Sequence, residues 1–279
     1  MKKITIDSIV KFKEFLLGEE KALSTVEKYV HDVVEFMKWI DGYELDKTNV
    51  LSYKRELIQK YAPASVNAAI SSLNSFFGFM EWHDIRIKAL KIQRQIFSNK
   101  DKELTKTEYE RLLVAAKSKK NERLYYLMQT ICSTGIRVSE IKHITVEAVK
   151  CGKANINCKG KMRIVFLTKQ LCEMLKQYAQ KNNIKSGSVF ITKNGKPLDR
   201  SNIWSEMKKL CESANVDKGK VFPHNFRHLF AVTYYSLQKD IVRLADILGH
   251  SNINTTRIYT VESGDTHRKQ LQKLGLLRC

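Results

Sequence analysis

The spacing of apolar residues constrains this chain more than anything else in it. Over nearly the whole length they recur every three to four positions, the period of one helix face, and in one main stretch they alternate instead. In "LSTVEKYVHDVVEFMKWI", Val26, Tyr29, Val33, Phe36, Met37 and Ile40 form a single stripe, with Ser24 or Thr25 placed to cap it. "DKTNVLSYKRELIQKY" repeats the pattern. "APASVNAAISSLNSFFGFMEW" repeats it again with Pro63 at its start, where a missing N–H removes no helical bond. Its small residues Ala68, Ala69, Ser71 and Ser72 allow close helix contacts, so 4–92 reads as a helical unit.

Periodicity lapses in the polar stretch "QRQIFSNKDKE" and resumes at "LTKTEYERLLVAA", where Thr105 and Glu108 have the spacing of a capping box. The expected organisation is a first domain over 1–95, a linker over 96–103 and a second domain over 104–279. In the second domain, "KANINCKGKMRIVFL" alternates around a Lys-Gly-Lys turn. Ile156 and Cys158, then Ile164 and Phe166, fit the faces of two strands, and "SVFITKNGKPL" offers a third short one. Helical patterns return in "DRSNIWSEMKKLCESA", "PHNFRHLFAVTYYSLQ" and "DIVRLADILGH", the last stopped by Gly249. The fold class expected is mainly α with two domains, the second carrying a small antiparallel β-sheet.

Charge narrows the partner. The chain of 279 residues has a formal net charge of +20, and 33 of its 49 Lys and Arg against 16 of its 29 Asp and Glu lie beyond residue 100. A basic half of this strength points to a polyanion, nucleic acid before an anionic membrane surface. No apolar run approaches the ~18 residues of a membrane span, and the opening "MKKITIDSIVKF" lacks the long apolar core and cleavage site of a secretory signal. Cys132, Cys151, Cys158, Cys172, Cys211 and Cys279 form no C-x-x-C pair. They read as free thiols in a reducing cytoplasm.

Several polar features of the basic half are ordinary one at a time. "STGIRVSE" sets Arg137 after a glycine with Glu140 three residues on, either a surface ion pair or a carboxylate-held phosphate grip. "CKGKMR" sets Lys159 at a turn, either solvated or a mobile cation able to reach a groove or give up a proton. "PHNFRH" puts His224 and Arg227 three apart. His224 and His228 have zinc-like i,i+4 spacing, but no H-E-x-x-H pattern or paired cysteine accompanies them, so neither a metal nor a cofactor is expected. "ILGHSNINTTRIYT" places His250 past a helix end and Tyr259 nine residues later.

Taken together, in this order and with these local contexts, the features resemble the tyrosine recombinase (phage integrase) family. Its pattern is an Arg in T-G-x-R-x-x-E, a hairpin Lys, H-x-x-R, L-G-H, and a Tyr about nine residues on. Phe226 and Leu229 depart mildly from it, and the short turn leaves Lys161 as an alternative to Lys159. The resemblance extends to the N-terminal helices, which look like the family's four-helix, SAM-like core-DNA-binding domain. It implies a Xer-like site-specific recombinase that cuts and rejoins DNA through a 3′-phosphotyrosine. Tyr259 is then the nucleophile, Arg137 and Arg227 clamp the phosphate, and His224 serves as base or phosphate donor. Lys159 is the general acid, His250 a hydrogen-bond donor and Glu140 a support. The implied partner is double-stranded DNA at inverted-repeat sites. The alternatives are a tyrosine-type topoisomerase and a non-catalytic DNA-binding protein on the same fold. After Tyr259, "TVESGDTHRKQLQKLGLLRC" reads as a breaker at Ser263 and Gly264, then a short helix with Leu271 and Leu274 on one face. The family likeness implies that this tail docks on a neighbour, linking two to four protomers on DNA.

Overall fold

The computed structural model describes residues 2–92, 100–158, 161–260 and 272–273. The chain divides into two compact units, Met1–Arg94 and Gln95–Cys279. The first half of the expected linker lies outside the described residues, and Lys100–Lys102 forms a short 3-10 turn.

The first unit consists of α1 (Ile6–Gly18), α2 (Leu23–Ile40), α3 (Lys47–Lys60) and α4 (Pro63–Phe79). Val26, Val33, Phe36 and Ile40 of the α2 stripe are buried. They meet an aromatic core in which Phe12 stands edge-on to Phe76, with centroids 5.2 Å apart. Ser24 and Thr25 do not cap α2: the helix begins upstream of both, at Leu23, and its N-cap Ala22 offers no side-chain acceptor. Pro63 opens α4 as its sequence position predicts. A polar pin crosses the core, where Ser72 Oγ donates to the buried Asp32 carboxylate at 2.7 Å and Lys28 pairs with the same group. Burying a carboxylate is tolerable only with such partners.

The second unit runs α5 (Lys106–Ser118), α6 (Glu122–Thr134), a 3-10 turn (Val138–His143) and α7 (Val146–Cys151). Then come β1 (Lys153–Cys158), β2 (Lys161–Phe166), α8 (Lys169–Lys181), α9 (Arg200–Lys208), α10 (Pro223–Gln238) and α11 (Ile241–Leu248). Two further 3-10 turns, Ile253–Thr255 and Arg257–Tyr259, follow. The predicted capping box opens α5: Glu108 N donates to Thr105 Oγ1 at 3.2 Å and Thr105 N to Glu108 Oε2 at 2.8 Å. α6 is the central rod, with Leu127, Met128 and Ile131 wholly buried and α5, α8 and α10 packed around it.

Two strand expectations need correction. Among the described residues the sheet is the antiparallel pair β1 and β2, and "SVFITKNGKPL" adds only two isolated bridges, Thr145 to Ser188 and Ile191 to Pro197. The inward face of β2 is also the opposite of the one expected. Its register sets Arg163 beside Ile156 and Val165 beside Ala154, so Arg163 and Val165 face inward. Met162, Ile164 and Phe166 are 79%, 49% and 74% exposed. A period of two fixes which residues share a face but not which face is buried.

Candidate active site

The site is organised around the end of α11. Gly249 closes this helix at φ +63°, leaving its last carbonyls without helical donors. Three arginines take three consecutive oxygens. Arg163 Nη1 donates to Ile247 O, Arg227 Nη2 to Leu248 O at 2.7 Å, and Arg137 Nη2 to Gly249 O at 3.0 Å. Arg227 Nη1 reaches a second helix end, donating at 2.6 Å to the carbonyl of Gly135, which terminates α6 at φ +63°. Helix C-termini carry partial negative charge and favour cations. Both glycines are needed for space as well as backbone angle. A Cβ at Gly135 would lie 2.4 Å from the Phe230 ring, and one at Gly249 would lie 2.4 Å from Arg163 Cδ.

Glu140 anchors the cluster from the other side. Its Oε1 accepts from Arg137 Nη1 at 3.0 Å, and its Oε2 accepts from the Arg137 backbone N–H at 3.0 Å and from Arg163 Nη2. Burial pushes this carboxyl up, but the bonds from Arg163 and from the Arg137 backbone and side chain outweigh it and hold the pKa below the usual carboxylate value. Among the described residues, ion pairs to the three arginines come from Glu140 alone. The cluster therefore keeps excess positive charge, as a site for an anion requires. The arginines differ in access: the Arg137 side chain is 38% exposed, whereas Arg227 is 2% exposed. Burial, then Arg137, pushes the Arg227 guanidinium down to about 10, and it remains a cation at neutral pH.

His250 follows Gly249 directly and is wired on both ring nitrogens. Its Nε2 lies 3.0 Å from Arg227 Nη2 and its Nδ1 lies 2.8 Å from Thr256 Oγ1. Guanidinium N–H groups only donate, so Nε2 accepts and the ring proton sits on Nδ1, donated to the fully buried Thr256. Burial, then Arg227, Arg137 and Arg163, lowers the His250 pKa to about 4.

Tyr259 is brought to the same place. It is 3% exposed and packs with Ala231, Leu244 and Leu248. Its ring lies nearly parallel to that of His250, 6.2 Å away, and edge-on to His228 at 5.1 Å. His224 stands in the first turn of α10, one turn before Arg227. The residue as a whole is exposed, but desolvation of its ring, then the charge of Arg227, lowers its pKa. Lys159 lies outside the described residues, as does Gly160, while the backbone of Lys161 opens β2. Among the described residues no group of His, Cys, Asp and Glu gathers as a metal site. The tail beyond Thr260 lies almost entirely outside the described residues.

Sequence reasoning missed Arg163 and Thr256. The signal for Arg163 was its register opposite the inward Ile156, masked by the apolar residues on either side of it. Thr256 stands six residues past His250 in a stretch of polar residues that look alike, and nothing local separates it from them.

Fold and site together define a tyrosine recombinase, the class of enzyme that breaks and rejoins DNA strands. The chain belongs to the phage integrase family: residues 102–264 match the description "Phage integrase family" and residues 9–84 match "Phage integrase, N-terminal SAM-like domain". It is 29% identical to the tyrosine recombinase XerA of Thermococcus kodakarensis over 280 residues, covering 96% of this chain and 95% of that one. It is 27% identical to the tyrosine recombinase XerD of Vibrio cholerae, covering 86% of each. Among solved structures, a lambda integrase dimer bound to a COC′ core site matches with a TM-score of 0.75 at 16% identity, covering 94% of this chain and 97% of that one. XerH bound to a palindromic difH substrate in a post-cleavage complex matches with a TM-score of 0.72 at 19% identity, covering 91% and 80%. These structural likenesses concern the fold.

Proposed function

We propose that the protein is a site-specific DNA recombinase whose Tyr259 hydroxyl attacks a backbone phosphodiester. The new bond joins the Tyr259 oxygen to phosphorus. The bond that breaks joins phosphorus to the 5′ oxygen, leaving a 3′-phosphotyrosine and a free 5′-hydroxyl. The phenol proton passes to His224 or to solvent, and the departing 5′ oxygen takes a proton from Lys159. A 5′-hydroxyl from a partner strand then attacks the phosphotyrosine, restoring a phosphodiester and releasing Tyr259, so bond energy is conserved across the exchange.

One observation carries this reading: a buried tyrosine stacked on His250, beside a cluster of three guanidinium groups of which two, Arg137 and Arg163, share the Glu140 carboxylate. Charge develops on the non-bridging phosphate oxygens in flight, and preorganised donors aimed at them lower the barrier. Arg137, the more exposed of the pair, meets the phosphate first, and Arg227 supports it from below. His250 donates to a non-bridging oxygen once bound phosphate offsets the arginine field. Glu140 fixes the arginines without touching DNA.

The substrate on this reading is duplex DNA bearing inverted repeats, as the palindromic difH substrate of XerH is. Residues 1–95 grip the duplex, 96–103 link, and 104–279 carry the chemistry. Two to four protomers assemble on DNA through the C-terminal tail, and the protein acts in the cytoplasm. Lambda integrase has been captured as a dimer on a core site and as a tetramer on a Holliday junction.

The test uses a nicked duplex that traps the covalent step, followed by boiling in detergent. Tyr259→Phe is expected to bind DNA and leave no adduct. An adduct that persists in the variant removes Tyr259 from this role.

A further inference from the structure

Arg163 has no part in the scheme above, yet its side chain ties the hairpin to both the Glu140 carboxylate and the end of α11. It leaves β2 on the inward face and is 12% exposed. Its stem crosses Gly249 where any larger residue would collide. Its fork then divides: Nη2 goes to the Glu140 carboxylate that holds Arg137, and Nη1 goes to Ile247 O beside the carbonyls that hold Arg227 and Arg137. Among the described residues its Nε finds no partner, although it is buried. Such a group is retained for where it holds the chain rather than for a full set of bonds.

What it holds is the hairpin. A two-stranded hairpin is marginal alone and depends on whatever its inner face rests on. The outer face of β2 is exposed at Met162, Ile164 and Phe166. On the inner side Ala154, Ile156 and Val165 supply apolar contacts, and among the described side chains Arg163 is the charged anchor nearest the tip. The ladder ends two residues beyond Arg163, at the Cys158–Lys161 pair, and Lys159 comes next to Cys158 in the chain. We propose that Arg163 is a positioning residue that holds the described strands of the hairpin against Glu140 and the end of α11, and that the general-acid function of Lys159 depends on this hold. It acts through Glu140 and the α11 carbonyls and does not touch DNA. Lysine cannot replace it, because one ammonium cannot satisfy two divergent acceptors in the geometry of a fork.

This inference rests on the recombinase reading, and its test separates the two. The full-length protein and its Arg163→Gln, Lys159→Ala and doubly substituted forms are assayed for single-turnover cleavage. The substrates are a normal duplex and one with sulfur at the 5′-bridging position. The sulfur leaves without a general acid, so relief of the Lys159→Ala defect on it tests the acid role of Lys159 alone. Rates on the normal duplex decide the role of Arg163. A positioned general acid contributes about 10²–10⁴ in rate, so each single change is expected to slow cleavage by roughly a hundredfold or more. The double change is expected to be no slower than Lys159→Ala by more than about threefold, because contacts that serve one step are not additive. A double form slowed by the product of the two single effects overturns the proposal, whatever the sulfur substrate does. Should the Gln variant fail to fold by circular dichroism, Arg163→Lys keeps the buried charge and takes its place in the same cycle, where the same two outcomes support or overturn the proposal.

Discussion

His250 is neutral in the DNA-free protein, and its wiring gives a pH signature. Desolvation lowers the pKa values of His224, His228 and His250, the last to about 4, from an ordinary value of 6.5. When the folded pKa lies below the unfolded one, acid favours the unfolded chain, which takes up the proton first. The stability these rings contribute is complete above about pH 6.5 and drains away as the pH falls toward 4. Glu108 and Glu140 also have lowered pKa values, and their contribution is lost only as the pH drops through and below 4.5. Urea unfolding midpoints are therefore expected to fall between pH 7.5 and pH 5, before the carboxylates protonate, and to fall less in His250→Asn. A level midpoint over that interval would show that the rings are not held neutral. Single residues were unevenly legible from the sequence. His250 and Tyr259 stood out through their spacing, which is local. Thr256 receives the His250 ring proton through a contact six residues away, and one hydroxyl in a run of polar residues carries no mark of it.

At the level of elements, the sequence told helix from strand well because period and capping chemistry are local. It told direction poorly. Thr105 and Glu108 announced α5, and Pro63 announced α4. The hairpin was found, but its buried face was decided by tertiary partners, Glu140 and the end of α11, which alternation alone does not encode. That helix end is where an element becomes a site, and Gly249 tests it against Gly152. Both sit at helix C-caps with positive φ, +63° and +71°. A Cβ at Gly152 meets nothing within 4 Å, whereas one at Gly249 lies 2.4 Å from Arg163 Cδ. Gly152→Ala is expected to cost about 1–2 kcal/mol, the strain of a left-handed alanine. Gly249→Ala carries that strain and also dislodges Arg163, so its loss in denaturant unfolding should exceed that of Gly152→Ala by about 1 kcal/mol or more. Cleavage should fail in Gly249→Ala and persist in Gly152→Ala. Equal stability losses in the two variants would mean that Arg163 sidesteps freely and that the close passage over Gly249 is not a constraint.

Over the whole molecule, the division into two units was legible because a stretch without apolar periodicity cannot join either core. What pairs with the chain in use was legible only as charge. Of the net +20, nearly all lies beyond residue 100, and the site built there gathers three arginines around one carboxylate, Glu140, which pairs with Arg137 and Arg163. A basic surface of this kind releases counterions when it neutralises phosphates, at about 0.9 ions per contact on duplex DNA. A protein making six to ten such contacts loses about 10³–10⁵ in affinity between roughly 50 and 200 mM salt. The full chain is expected to fall in that range on a duplex carrying its site, measured as the slope of log Kd against log salt. Arg137→Gln removes one partly exposed cation, the one the proposed mechanism sets against the phosphate. It should lower that slope by about one contact while abolishing cleavage. Substituting the buried Arg227 should leave the slope nearly unchanged, because a guanidinium held by Gly135, Leu248 and His250 displaces few counterions from DNA. A slope near zero for the parent protein would mean that the charge serves some other partner. Equal slope changes for the two arginines would mean that Arg227 opens to the phosphate as fully as Arg137 does.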